Sequence, residues 1–406
     1  MNYKTVPWES VIQTRLSQNK IHFNISFMKR TLSIIIALSF LILQSCLNIG
    51  FQQNIERNQP SNGFAGKVDS IVAGKMNNYN IPGLSIGLVA KDSIVYAKGY
   101  GLKSIENPKP VTEHSNFHAA SISKLFTAQA VIMLLAENDI SLNEKLVNII
   151  PKLRYEDKRV EDITIKTILN HTSGLPDVSN YHWENNNKSK TSLKEYVLGL
   201  KFTLDSQPGT HYSYSSLAYN ILGYVVEKLS ETSFEEYVKE NIFEANRMHN
   251  SDFRYFEIPD SIKTSPHSKK RITKKVYTRK TYPYTREHAP SSTLNSSSSD
   301  LSKWMISFLK SVESNQPDRN FSIMLEPGFP SYPYIGLGFQ LSSIDSKKTI
   351  GHYGGDKGYR SYLLMIPEEK MGLVVLANSD YNEDFRQEIL HPIAKLMLTM
   401  YERNES

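Results

Sequence analysis

The chain lacks the features that mark several large classes of protein. Its 406 residues contain one cysteine, Cys46, so no disulfide can form within the chain. The apolar run Leu32 to Leu43 is too short to span a bilayer as a helix. His114 and His118 stand four apart without the Glu that zinc proteases place between them, and no Gly-rich loop matches a phosphate cradle. We therefore expect no metal site and no other cofactor.

The overall charge does not indicate a nucleic-acid partner. The net charge is +6, and 40% hydrophobic and 11% aromatic residues are ordinary for one large globular unit. One segment, residues 263–286, is strongly basic: it contains Lys269-Lys270-Arg271, Lys274-Lys275 and three tyrosines. We expect it to form a loop or hairpin over a helical domain, with contact to anionic lipid or to an anionic substrate as the alternative.

A nucleophile motif stands at the start of an apolar helical run. Ser121-Ile122-Ser123-Lys124 precedes Leu125 to Leu135, which is apolar almost all round and predicts a buried central helix. A hydroxyl is a poor nucleophile at neutral pH and needs a base within hydrogen-bond reach. Residues three apart share one face of a helix, so Lys124 would lie beside Ser121, and burial would lower the pKa of the Lys.

Two further segments complete a constellation. Tyr212-Ser213-Tyr214-Ser215-Ser216 follows a Pro-Gly pair and precedes a helical pattern, which places Tyr214 in a turn at a helix start. Ile350-Gly351-His352-Tyr353-Gly354-Gly355 lies in a predicted strand far downstream. A competing motif, Gly83-Leu84-Ser85-Ile86-Gly87, matches the nucleophile elbow of α/β-hydrolases. Its alternating apolar residues continue into Ser93 to Tyr96, so we expect a hairpin of two strands instead.

With these segments the chain resembles the serine beta-lactamase-like hydrolases, in the branch of class C beta-lactamases, D-alanyl-D-alanine carboxypeptidases, D-aminopeptidases and related esterases. Supporting segments occur in the family's order from about Phe64 to about Leu398. They are Ile81 to Ser85, Thr164-Ile165 through His171 to Pro176, Gly336 to Phe339 and Ile350 to Asn378.

The resemblance implies a role for each matching residue. Ser121 would be the acylated nucleophile, with Lys124 and Tyr214 sharing the proton transfers. The backbone N–H groups of Ser121 and Gly355 would form the oxyanion hole. The remaining pocket residues would be Ser216, His352 and Gly354. His171 and Asp177, beside Ser173-Gly174, are expected to be turn residues without a site role.

Three departures from the family pattern limit these implications. Ser216 stands where the second motif usually has Asn, and a hydroxyl replaces only part of an amide. His352 stands where beta-lactamases mostly carry Lys, which makes efficient penicillin hydrolysis less expected. Ala289 to Leu294 and Ser296 to Asp300 replace a Gly-rich loop, and the serines restrict its backbone.

The pattern and the resemblance together predict a fold of the α/β (α+β) class. An antiparallel sheet would be built from both chain ends, about 64–118 and 330–400, flanked by helices, with a mostly helical middle domain at about 119–329, as in beta-lactamases and transpeptidases. A terminal helix from about Phe385 to Leu398, bent near Pro392, would cover the sheet.

The amino end predicts a location in the bacterial cell envelope. Lys29 and Arg30 precede the apolar run, and Leu43-Gln44-Ser45-Cys46 resembles a lipobox with lipid attached to Cys46. We expect residues 28–45 to be a signal peptide, 46–63 a tether, and 1–27 an upstream extension with Met28 as the true start. An uncleaved anchor is the alternative; the catalytic domain at 64–400 faces the periplasm in both cases.

The expected function is that of a serine hydrolase acting through an acyl-enzyme on an ester or amide. The favoured substrates are small esters and D-amino-acid peptides derived from peptidoglycan. The partners expected are this small-molecule substrate and the membrane, through the lipid anchor; no nucleic acid and no obligate protein partner are inferred. One alternative is a penicillin-interactive protein or class C-like beta-lactamase. Another is a catalytically inactive binding or sensor lipoprotein, suggested by Ser216 and the Ser-rich loop.

Overall fold

The structure is a computed structural model that describes residues 62–153, 156–314, 321–382 and 384–405. The predictions for the extension 1–27, the signal peptide 28–45 and the lipidation of Cys46 lie outside these residues, as does the tether except its last two residues. The first described helix, α1 (Asn62–Tyr79), begins within those two residues.

One six-stranded antiparallel sheet joins the two ends of the chain. Its strands are β1 (Gly83–Ala90), β2 (Ser93–Gly101), β7 (Gln340–Ile344), β8 (Lys347–Asp356), β9 (Tyr359–Ile366) and β10 (Met371–Ala377), in the order β2-β1-β10-β9-β8-β7. All the pairings are antiparallel. The predicted fold class is therefore confirmed. The elbow-like motif lies in the β1–β2 hairpin, as predicted, and the Oγ of Ser85 is 2.7 Å from that of Ser298.

The sheet is central because both of its faces are covered. Every residue of β1 is buried. In β9 and β10 alternate side chains enter different cores, since successive residues of a strand point to opposite faces. Leu364 and Leu373 pack in the core that includes α1 and the terminal helix, whereas Leu363 and Val374 pack in the core of the helical part. The terminal helix α10 (Phe385–Glu405) extends beyond the predicted end and contains Pro392.

The middle of the chain is mostly helical. Its α-helices are α2 (Ser123–Glu137), α3 (Leu146–Ile149), α4 (Ile165–Leu169), α5 (Ser192–Gly199), α6 (Ser216–Ser230), α7 (Phe234–Val238), α8 (Ala289–Ser292) and α9 (Ser298–Val312). Two small antiparallel pairs interrupt them: β3 (Phe117–His118) with β6 (Asn295–Ser296), and β4 (His267–Lys269) with β5 (Val276–Thr278). Helix α2 is the central helix, because it is buried along most of its length and packs on α6 and α8.

Residues 267–278 of the basic segment form a hairpin, and this part does not lie over the helical domain. His267 at its root accepts a hydrogen bond from the Ile105 N–H and contacts the Asn378 carbonyl oxygen, while its own N–H bonds to the Gly358 carbonyl oxygen. These partners lie in the loops at one end of the sheet, so the predicted position was wrong for the hairpin; Arg286, at the end of the basic segment, does bind Glu227 and Glu235 of the helical part. The cause is the buried His267, whose two ring nitrogens find partners only in those loops.

Candidate active site

Ser121 lies in a tight, strained turn that precedes α2. It is the middle residue of the 3-10 turn Ala120–Ile122, and Ala120 has a φ of +49°, a conformation that costs energy for a residue with a Cβ. The turn is held from two sides: the Ser123 hydroxyl donates to the Ala120 carbonyl oxygen at 2.7 Å, and the Ser361 hydroxyl donates to that of Ala119 at 2.7 Å. The partly exposed Ser121 side chain is thus fixed at the surface of the cleft.

Lys124 is fully buried directly behind Ser121. Its Nζ lies 3.2 Å from the Ser121 Oγ and donates to the Ser291 carbonyl oxygen at 2.8 Å. Burial lowers the pKa of Lys124 to about 7, against an opposing pull from Asp177 and Asp356. Among the described residues no carboxylate forms an ion pair with it. The lowered pKa makes the uncharged amine, which can accept a proton, accessible near neutral pH.

Tyr214 lies on the other side of Ser121. Its hydroxyl is within hydrogen-bonding reach of Ser121 and Ser216, and the Lys124 Nζ is 4.9 Å from its ring centroid. Burial raises the pKa of Tyr214, and the bonds to the two serines offset only part of that increase. Lys124 is therefore the stronger candidate base in this arrangement, and Tyr214 holds a proton that it can donate.

His171 and Asp177 do more than shape a turn. The Nδ1 of His171 accepts from the Ser215 N–H at 3.1 Å, and its ring lies 4.5 Å from that of Tyr214. The Asp177 Oδ1 accepts from the Ser216 N–H at 2.6 Å. The prediction of no site role was incomplete, because both side chains hold the segment that carries Tyr214. A sequence pattern shows the turn but not what its side chains reach.

Tyr181 is a site residue that the sequence did not reveal. Its hydroxyl bonds to Ser216, which also bonds to Tyr214, so the hydroxyls of two tyrosines meet at one serine. Burial raises the pKa of Tyr181 well above its usual value. Its ring is stacked on Trp183 at 4.7 Å.

Strand β8 borders the nucleophile turn on its open side. A Cβ on Gly354 would stand 2.3 Å from the Ala119 carbonyl oxygen and 2.1 Å from the Ser361 Oγ, so only glycine fits there. Glycine at position 354 therefore lets β8 pack closely against the nucleophile turn. A Cβ on Gly355 would be 3.3 Å from Arg360, a milder contact. Gly355, the predicted second oxyanion donor, directly follows this contact point.

His352 presents a neutral imidazole to the site. Burial and then the nearby Lys124 lower its pKa to about 3. Its Nδ1 is 2.6 Å from the Tyr353 carbonyl oxygen, which can only accept, so Nδ1 carries the proton and Nε2 is an acceptor. The centroid of its ring lies 6.1 Å from that of the Tyr214 ring.

Asp356, one residue beyond Gly355, joins three segments around the site. Its carboxylate accepts from the Trp183 Nε1–H at 3.0 Å and from the Ser292 hydroxyl, and it lies 3.2 Å from the His118 Nε2. Burial by itself would raise the pKa of Asp356, but bonds from His118 and the other donors lower it overall. The residue is a buried, charged junction that no motif predicts.

The Ser-rich segment is not a loop of the kind expected. It forms the helical turn α8, the strand β6 and the start of α9, whose cap is the Ser297 side chain accepting from the Asp300 N–H. Within it Ser291 supplies the carbonyl for Lys124, and Ser292 bonds to Asp356. The serines therefore fix the segment against the site by hydrogen bonds.

The site combines a partly exposed serine hydroxyl, a buried lysine with a lowered pKa and a protonated tyrosine. These groups lie beside an antiparallel sheet flanked by helices, and together they are typical of the serine hydrolase class. The family model for Beta-lactamase matches residues 68–396. This chain belongs to the beta-lactamase family. Its predicted membership and fold are both confirmed.

Several relatives and solved structures are similar to this chain. Protein flp of Staphylococcus aureus (strain MW2) is 25% identical over 334 residues, which cover 78% of this chain and 64% of the relative. Penicillin-binding protein 4* of Bacillus subtilis (strain 168) is 24% identical, covering 73% of this chain and 68% of the relative. The match thus spans somewhat less than two thirds of the staphylococcal protein.

Among solved structures, the octameric penicillin-binding protein homologue from Pyrococcus abyssi has a TM-score of 0.70 at 26% identity, covering 83% of this chain and 77% of the other. A beta-lactamase/D-alanine carboxypeptidase from Pseudomonas syringae has a TM-score of 0.67 at 19% identity, covering 82% and 99%. The second likeness concerns the fold alone.

One segment of the described residues, Ala120–Glu137, is long and apolar enough to cross a membrane. It comprises the nucleophile turn and α2, and 72% of it is buried inside the protein. Its apolar character is that of a core helix.

Proposed function

We propose that this chain is a serine hydrolase that cleaves an ester or amide through an acyl-enzyme on Ser121. The observation that carries the proposal is the buried Lys124 amine, 3.2 Å from the Ser121 hydroxyl, with a pKa lowered to about 7. A neutral amine in this position serves no structural purpose that an apolar side chain would not serve better, because burying an ionisable group opposes folding.

The reaction follows from the positions of these groups. Ser121 Oγ attacks the substrate carbonyl carbon while its proton passes to Lys124 Nζ. The carbonyl oxygen becomes an oxyanion that accepts from the N–H groups of Ser121 and Gly355. The bond to the leaving group breaks, and the Tyr214 hydroxyl gives that group a proton, which Lys124 replaces. Water then attacks the carbonyl carbon of the acyl ester, and Lys124 and Tyr214 again transfer the protons. The bond to Ser121 Oγ breaks, which releases the carboxylic acid and restores the Ser121 hydroxyl.

The polarity of the pocket favours esters and amides that carry no carboxylate beside the scissile bond. His352 stands where beta-lactamases mostly have Lys, and its neutral ring offers an acceptor, Nε2, that repels a carboxylate. Small esters and D-amino-acid peptides with an uncharged group at this position fit better than penicillins.

The proposed location is the periplasmic face of a bacterial envelope membrane. Support comes from the sequence alone: the basic pair before the apolar run and the lipobox-like segment ending at Cys46. A lipid on Cys46 would hold the enzyme near peptidoglycan-derived substrates. Labelling of cells with a radioactive fatty acid should mark the wild-type chain and leave the Cys46→Ser chain unmarked.

The hydrolase proposal is tested by the time course of nitrophenyl acetate cleavage. We expect Ser121→Ala to lower turnover by at least about 10³-fold and Tyr214→Phe to lower it less. Ser343→Ala, an exposed serine on β7, should leave turnover unchanged. Equal rates in the wild-type and Ser121→Ala proteins would refute the enzyme and favour a binding or sensor role. Turnover of a penicillin faster than of the ester would move the assignment to the beta-lactamase branch.

A further inference from the structure

The hairpin formed by β4 and β5 projects an unusual tip from the protein. Residues 270–275, which connect the two strands, are all exposed. Ile272 at the tip is 91% exposed, whereas the other exposed large hydrophobic side chains are 39–47% exposed. One exposed apolar residue is ordinary on a protein surface. Ile272 differs from such a residue because basic side chains surround it.

The tip is strongly cationic and carries no compensating charge. Lys269, Lys270, Arg271, Lys274 and Lys275 flank Ile272, and residues 267–278 contain no acidic residue. No described acidic side chain pairs with the four basic residues at 270, 271, 274 and 275. One carboxylate, Asp380, lies at the root of the hairpin, where it bonds to Ser268 and to the Gly358 N–H.

A second basic, partly apolar feature adjoins the root of the hairpin. The loop after β2 carries Ile105, 39% exposed, and its N–H bonds to the His267 ring. Beside it lies a pocket of about 330 Å³ whose wall includes Lys103, Lys109, Lys263 and one carboxylate, Asp260, which pairs with Lys263 at 2.8 Å. Burial and then the charge of Lys109 lower the pKa of Lys103. The wall thus carries three cations and one carboxylate and adds positive charge beside the hairpin.

We propose that this basic hairpin, residues 267–278, is a membrane-contact surface that inserts Ile272 into the interfacial region of a bilayer rich in anionic phospholipid. An apolar tip with basic residues around it matches such an interface, where the side chain enters the acyl boundary and the cations meet phosphates. A soluble polyanion would use the charges but would leave Ile272 in water. The combination therefore favours a bilayer over an anionic polymer.

The basic hairpin is joined to the end of the sheet that lies near the active site. The His267 N–H bonds to the carbonyl oxygen of Gly358, in the turn that connects β8 and β9 just beyond Asp356. Contact between hairpin and bilayer would thus orient the molecule with this end of the sheet toward the membrane. The proposal does not depend on the hydrolase activity, since no hairpin residue touches Ser121, Lys124 or Tyr214.

The test uses a dye on the hairpin of the full chain. Cys46→Ser removes the one native cysteine, and Thr273→Cys then carries a bimane label while Ile272 remains in place. A matched chain carries the label at Ser343→Cys, an exposed position on β7. Each is mixed with vesicles of phosphatidylcholine, with or without 30% phosphatidylglycerol, that contain a doxyl-labelled lipid as quencher.

We expect quenching and a blue shift at position 273 with anionic vesicles and little change at 343. Substituting Lys270, Arg271 and Lys274 together by Ser should lower the partition coefficient for anionic vesicles roughly 100-fold, from about 1 kcal/mol for each cation. Ile272→Ser should reduce the quenching. Because the apolar run 32–43 can bind any vesicle, the zwitterionic vesicles measure that contribution separately.

Three results would overturn the proposal. The first is equal quenching at 273 and 343, the second is equal quenching at 273 in both kinds of vesicle, and the third is no effect of the triple Ser substitution. A dye at 273 that responds to soluble polyphosphate but not to vesicles would instead assign the hairpin to an anionic polymer. Ester hydrolysis without lipid should be the same in all these variants, which verifies that they are folded.

Discussion

Two buried cations of this molecule, Lys124 in the active site and Arg286 beside helix α6, are held in opposite ways. Arg286, 4% exposed, donates to Glu227 and to Glu235, the latter at 2.9 Å. Burial alone would lower the pKa of Arg286, but the two carboxylates outweigh it and raise that pKa. Lys124 has Ser121 and a backbone carbonyl as neighbours, and its pKa falls to about 7.

The difference shows which buried charge serves structure and which serves chemistry. A paired cation keeps its proton at every physiological pH and joins segments of the fold. An amine with only neutral partners can exchange its proton, at a cost in folding free energy. The comparison predicts that removing the charge of Lys124 abolishes activity and preserves the fold, while removing that of Arg286 does the reverse.

The largest effect is expected from Lys124→Met. Methionine keeps most of the buried volume and removes the base, so kcat/KM for a nitrophenyl ester should fall roughly 10³-fold. The folded-state pKa of Lys124 lies below that of the unfolded chain, so the unfolded state binds more protons and the wild type is penalised below pH ~10. The variant should therefore unfold at an equal or higher temperature at pH 7, as measured by calorimetry.

Lys166→Met, an exposed lysine on α4, is the control and should change neither quantity. A Lys124→Met enzyme with more than a tenth of the wild-type kcat/KM would mean that another group is the base. A lower unfolding temperature would mean that the amine is structural.

The second prediction concerns Arg286→Met. It leaves Glu235 buried and unpaired, and breaking a buried ion pair in this way costs about 3–5 kcal/mol of unfolding free energy. Burial already raises the pKa of Glu235, since Arg286 offsets only part of it. The loss should be present at pH 7 and should shrink as the pH falls through the pKa of the unpaired Glu235, which is then protonated and neutral.

Urea unfolding at pH 7 and pH 4.5 measures this dependence. Arg286→Met combined with Glu235→Gln should recover part of the stability, and the folded single variant should keep ester hydrolysis within about tenfold of the wild type. Full stability with lost activity would contradict the contrast between the two cations.

A smaller effect is expected where Tyr181 meets Ser216. Tyr181→Phe removes one hydrogen bond to Ser216 and should lower kcat/KM roughly tenfold. Ser216→Asn brings in the residue common in relatives, and we expect its larger side chain to crowd the Tyr181 hydroxyl that bonds to Ser216. The double variant should recover activity, with a coupling energy of about 1 kcal/mol in a double-mutant cycle. Tyr196→Phe, whose ring lies 5.1 Å from His288, is the matched control. Additive effects would exclude the proposed contact.

The sequence predicted the parts of the site that local patterns encode. Ser121 and Lys124 stand three residues apart across the start of a helix, and Tyr214 precedes a helix whose apolar spacing is evident, so both helix starts followed from periodicity. The β1–β2 hairpin was distinguished from a nucleophile elbow by alternation over a few residues. Such features depend on neighbours in the chain.

The features that the sequence missed depend on contacts between distant segments. Tyr181 reaches Ser216 only because residues 177–187 fold back over the site, and Asp356 meets Ser292 and Trp183 from opposite parts of the chain. The neutral state of His352 likewise follows from burial beside Lys124 and from its bond to Tyr353. No spacing rule encodes these contacts, since loop paths are set by the whole core.

The smallest effect is a shift in pH dependence on Asp177→Asn. Asp177 raises the pKa of Lys124 from a distance, and asparagine retains the Oδ1 that accepts from the Ser216 N–H. Without the carboxylate charge, Lys124 loses its proton at lower pH. The acidic limb of the kcat/KM profile should therefore move down by roughly half to one pH unit, while the maximum stays within about threefold. Asp139→Asn, an exposed position beyond the far end of α2, should leave the limb in place. A limb that moves up, or not at all, would show that Lys124 is not the group whose ionisation limits the reaction.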